Sequence, residues 1–63
     1  MKKIYWANVR EQANQMSYIE LEQISKNRWK VTLGIQEYII RTSSTDFFEV
    51  LEVALKDRPR QNP

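Results

Sequence analysis

Two residue types are missing from this 63-residue chain, and each absence closes off chemistry. There is no cysteine, hence no disulfide, no zinc–thiolate site and no thiol nucleophile. There is no histidine, the side chain that most often serves as general base and transition-metal ligand near neutral pH. Gly34 is the only glycine, so no glycine-rich phosphate loop can form. The carboxylates lack the spacing of an EF-hand-like calcium loop. Glu20 and Glu22 would project from one strand face about 7 Å apart, a separation that mimics a catalytic carboxylate pair. The plainer reading is preferred: solvated strand positions neutralised by Arg28 and Lys30, as exposed charges usually are. No catalytic residue, metal or cofactor is expected, and the chain is expected not to be an enzyme.

Long apolar runs are missing too. No segment approaches the roughly 20 residues of a membrane span, so no membrane partner is expected. Met1-Lys2-Lys3 looks like the start of a signal peptide, but Arg10-Glu11 interrupts the short apolar run behind it. The lack of cysteine fits a reducing compartment, and a cytoplasmic location is expected. Neither sign of charge dominates: ten basic and eight acidic residues leave a net charge of +2, too mild to identify nucleic acid as the partner. At this length the chain makes one domain, which buries only about 60% of the surface its unfolded form exposes. A hydrophobic fraction of 41%, with seven aromatic residues, can still supply a small core.

What is present is organised around residues 18–42. Strand side chains alternate between two faces. Along Tyr18–Ile24, Ile19, Leu21 and Gln23 share one face, while Tyr18, Glu20, Glu22 and Ile24 share the other. Along Arg28–Leu33, Trp29, Val31 and Leu33 oppose Arg28, Lys30 and Thr32. The connection must bring the two apolar faces together. A three-residue loop, Ser25-Lys26-Asn27 with Asn27 left-handed, sets Leu21 opposite Val31, Ile19 opposite Leu33 and Glu22 opposite Lys30. A two-residue loop at Lys26-Asn27 would set Glu22 beside Val31 and bury neither face cleanly. The second turn is either Gly34-Ile35, as a type II′ turn, or Gln36-Glu37. Both put Tyr38 and Ile40 on the apolar face and Glu37, Ile39 and Arg41 on the other.

The flanks read as follows. Residues 3–9 have high β propensity and are read as a strand, although Trp6, Val9, Ala13 and Met16 also fall at helical spacing. Residues 10–14 are polar and read as a connection. Ser43-Ser44-Thr45-Asp46 is a run of helix N-cap types. Residues 47–57 follow as an amphipathic helix with Phe47, Leu51, Ala54 and Leu55 as its stripe, flanked by Phe48 and Val50, and with Val53 on the polar side. Pro59 ends the helix, and residues 59–63 are expected to be a flexible tail.

The fold class is therefore α+β: an antiparallel β-meander of three to four strands with a C-terminal α-helix packed on one face, in the order β-β-β-β-α (alternative α-β-β-β-α). A single domain spans 1–58. The expected core is Ile19, Leu21, Trp29, Val31, Leu33, Tyr38 and Ile40 from the sheet, with Phe47, Leu51, Ala54 and Leu55 from the helix.

Two kinds of function fit such a domain. One is a small binding module that acts through protein–protein contacts, as a regulator or inhibitor does. Tyr18, Ile24 and Ile39 on the uncovered face, with Tyr5, are its candidate partner-binding residues. The partner is an unidentified protein or a second copy of the chain, since homodimerisation helps so small a core. The alternative is a nucleic-acid-binding protein that uses the basic hairpin and the open sheet face through Lys26, Arg28, Lys30 and Arg41. Glu20, Glu22 and Glu37 share that face and repel phosphate.

Overall fold

Alternation along each strand determines which residues meet the helix. The computed structural model describes residues 3–12 and 15–59. Four antiparallel strands, β1 (Ile4–Gln12), β2 (Gln15–Ser25), β3 (Arg28–Leu33) and β4 (Gln36–Arg41), form one open sheet in the order of the chain. A single helix, α1 (Phe47–Lys56), follows. The chain is thus α+β in the order β-β-β-β-α, and residues 4–12 are strand rather than helix. Of the polar stretch expected to connect the first two strands, residues 10–12 are strand and residues 13 and 14 lie outside the described residues. Its helical spacing lost to alternation, because Tyr5, Ala7 and Val9 pack against the core while Ile4 and Trp6 point away from it.

The first hairpin has the expected register and an unexpected turn. Ile19 faces Leu33, Leu21 faces Val31 and Glu22 faces Lys30. The loop, however, is the two-residue Lys26-Asn27, closed by the pair Ser25–Arg28. A bulge at Ile24 supplies the missing residue: Gln23 still pairs with Trp29, and the register shifts before Ser25. Among the described residues no non-glycine has positive φ, so Asn27 does not adopt the left-handed conformation expected of it. A bulge and a longer loop do the same work, since each adds one residue to one strand.

The second turn is Gly34-Ile35, closed by the pair Leu33–Gln36. Gly34 has φ of 61° and Ile35 has no positive φ, the distribution a type II′ turn requires.

One face of the sheet carries Ile19, Leu21, Trp29, Val31, Leu33 and Ile40, all buried. α1 covers it with Val50 and Ala54, also fully buried, and Phe47, Leu51 and Val53 pack against the same cluster. The helix is therefore turned relative to the expected stripe. Leu55, expected in the core, is 41% exposed, while Val53, expected on the polar side, lies against the core. Leu55 sits about 120° round the helix from the middle of the Val50–Ala54 line, too far to reach the sheet. The line facing the sheet is the i, i+3, i+4, i+7 set Phe47-Val50-Leu51-Ala54.

The entry to α1 is stapled by hydroxyls and one carboxylate. Thr42 Oγ1 accepts from Ser44 N at 3.1 Å, and Ser44 Oγ accepts from Asp46 N at 3.1 Å. Asp46 is the N-cap: its Oδ1 accepts from Phe48 N at 2.8 Å and from Glu49 N at 3.1 Å. Two tyrosines tie sheet to helix segment. Tyr5 donates its hydroxyl proton to Thr45 O, and Tyr38 donates to Ala54 O at 2.6 Å. Residues 60–63 of the expected tail lie outside the described residues; Pro59 O accepts from Gln36 Nε2 at 3.3 Å, and Arg58 Nε donates to Gln36 Oε1 at 3.2 Å.

Candidate interaction face

The face of the sheet opposite α1 is uncovered, and its side chains lie in rows set by the strand register. The row across the middle is Ile4, Glu22, Lys30 and Ile39. The next row, toward the Gly34 turn, is Trp6, Glu20, Thr32 and Glu37. Beyond it Asn8 faces Tyr18 and Arg10 faces Met16. On the other side of the middle row Arg28 faces Arg41, beside the Lys26-Asn27 turn and the Ile24 bulge.

Three of the four candidate protein-contact residues are on this face. Tyr18, Ile24 and Ile39 are exposed there. They do not form one patch: six residues along β2 separate Tyr18 from Ile24 by about 20 Å. Carboxylates and Lys30 lie between them and Ile39. Tyr5 does not belong to the face. Its ring stacks on Trp29 at 5.4 Å and 16°, and meets Phe47 edge-on at 5.4 Å. Strand parity turns it inward, and it becomes part of the lid over the core.

The residues that do gather round Tyr18 escaped the sequence reading. Trp6, 66% exposed, is its diagonal neighbour on β1, with Ile4 and Met16 further along the two strands; all are exposed. The signal for them was the period-two split of residues 4–9. Once Tyr5, Ala7 and Val9 point inward, Ile4 and Trp6 must point outward.

The basic candidates divide. Lys30 Nζ lies 3.9 Å from Glu22 and 3.7 Å from Glu37, so it serves the carboxylates around it. Lys26, Arg28 and Arg41 are exposed, and none of the three makes an ion pair among the described residues. The expectation that Arg28 neutralises the β2 glutamates is thereby corrected. Register carries it one row past them, opposite Arg41 instead. Like charges directly opposite each other on a sheet repel, so this corner is a standing concentration of positive potential.

Among the described residues no group of three or more acidic side chains is placed to hold a metal ion. No described helix is long and apolar enough to cross a membrane. Comparison with protein-family models, with curated proteins and with solved structures finds no match to this chain.

Proposed function

We propose that this chain is a non-enzymatic binding module, a small regulator or inhibitor, that acts through protein contacts on the open face of its sheet. One observation carries the reading. Ile4, Trp6, Met16, Tyr18, Ile24 and Ile39 all stand exposed on the side that α1 leaves bare. A domain with so few core residues gains from burying apolar side chains, and leaving six large ones in water on one face suits a surface completed by a partner. Aromatic anchors with charged groups around them are the usual composition of a protein contact. The lack of cysteine goes with a reducing, cytoplasmic setting.

Site-specific photo-crosslinking tests this. A benzophenone side chain placed at position 18 or 39 should yield protein adducts in whole cells, and the same group at position 52 on the outer side of α1 should not. Tyr18→Ala and Ile39→Ala should weaken the interaction without lowering the melting temperature. Equal adducts from 18, 39 and 52 would remove the open face from consideration.

The second reading, nucleic-acid binding, draws on the exposed Lys26–Arg28–Arg41 corner. It requires binding that falls steeply with salt and that Arg41→Glu abolishes. Adducts to nucleic acid from position 39 would put it first.

A further inference from the structure

The charges of the open face are laid out in bands. Arg28 and Arg41 form one row, with Lys26 beside them in the turn. The two rows that follow hold three carboxylates, Glu20, Glu22 and Glu37, against the single ammonium of Lys30. The face is thus positive at the Lys26-Asn27 end and negative through its middle, with Arg10 the one charge in the row beside Met16 at the far end. A copy of the same face laid on it end-to-end reversed sets the arginine row over the partner's Glu20–Glu37 row; a copy laid on it in the same direction sets the arginine row at the partner's arginine end.

We propose that the open faces of two copies of this chain pack together about a two-fold axis that crosses the strands at the Ile4–Glu22–Lys30–Ile39 row. The inference rests on the reading of this face as the contact surface and names its occupant. The axis sets β1 over β1 and β4 over β4, antiparallel; along the row it crosses, Glu22 faces the partner's Glu22 and Lys30 the partner's Lys30, two like-charge contacts against four arginines set over carboxylates. Each Arg41 comes over the partner's Glu37, and each Arg28 comes between the partner's Glu20 and Glu37. Ile4 meets the partner's Ile4, Ile39 meets the partner's Ile39, and Trp6 reaches over the side where the partner's Ile24 stands. Residue i meets j and j meets i, as a two-fold contact demands. An axis along the strands would set β1 over β4 and pair Glu22 with the partner's Lys30, but it would leave Arg28 and Arg41 at the same end as the partner's Arg28 and the partner's Arg41 with no carboxylate row facing them. Four strands about 4.8 Å apart and about seven residues long give a face of roughly 20 by 24 Å, hence about 1,000 Å² over the two copies. That is the lower edge of specific interfaces.

A charge swap read by sedimentation velocity tests the proposal, over a series from low micromolar to near-millimolar protein. The wild-type chain should dimerise, less strongly at high salt. Arg41→Glu and Glu37→Arg should each weaken the dimer at least about tenfold, because each sets two like-charge pairs across the axis. An equimolar mixture of the two variants should dimerise nearly as well as wild type, and so should one chain carrying both changes. Both side chains are exposed, and circular dichroism verifies that each variant is folded. Arg28→Glu with Glu20→Arg repeats the swap at the neighbouring contact if either variant unfolds. A wild type monomeric throughout the series overturns the proposal, as does a dimer that the single variants leave intact or that the mixture fails to restore. A monomer that still gives protein adducts from positions 18 and 39 overturns the two-fold packing alone. A monomer without such adducts overturns the contact reading as well.

Discussion

Val50→Ala and Leu55→Ala, made side by side, test the rotation of the helix. The two residues exchanged roles between expectation and structure: Val50 is fully buried and Leu55 is 41% exposed. Val50→Ala removes two carbons at about 0.8 kcal/mol each and leaves a cavity, for about 2–3 kcal/mol in all. The better helix propensity of alanine returns about 0.5 kcal/mol. The net loss is about 2 kcal/mol, which for a domain of this size lowers the melting temperature by about 8–16 °C. Against a total stability on the order of 3–9 kcal/mol, that is a large share. Leu55→Ala removes more carbon from a site already wet, and should cost less than about 1 kcal/mol. Thermal melts followed by circular dichroism at 222 nm, checked by urea titration, read both. Leu55→Ala costing as much as Val50→Ala would refute the argument, because the helix would then face the sheet with the Phe47–Leu51–Leu55 line.

Two further perturbations address the turn and the cap. Gly34→Ala meets no atom within 4 Å of the added carbon, so its cost is the positive φ of 61° alone, about 1 kcal/mol. Chemical denaturation would read it, and an unchanged midpoint would exclude the left-handed turn. Asp46→Ala removes the acceptor of two backbone N–H groups and should cost about 1 kcal/mol, with Asp46→Asn recovering most of it in the same melts.

Much of the open face was legible because parity is a local property. Tyr18, Ile24 and Ile39 were placed outward by counting residues, and the pairing of Glu22 with Lys30 followed from one register. Trp6 was not placed, since residues 3–16 carry both a strand period and a helix period. Only pairing with β2 decides between them: the backbone bond from Gln23 N to Lys3 O, at 2.8 Å, anchors β1 as the outer strand. Tyr5 was misjudged for the same reason. Its neighbours Trp29 and Phe47 lie 24 and 42 positions away in the sequence, and nothing local announces them.

The sequence by itself determined the faces of the strands from residue 18 onward and the capped helix, and it offered the Gly34-Ile35 turn as one of two candidates. These follow from period-two alternation, from the φ that glycine tolerates, and from side chains that satisfy the first helical N–H groups. Tertiary structure alone decided three things: that residues 4–12 form an edge strand, that the extra residue of the first hairpin sits in a bulge rather than its loop, and which helix line faces the core. Each depends on what packs against the segment. A short amphipathic segment leaves several rotations and loop lengths nearly equal in energy until a sheet with a particular surface selects one.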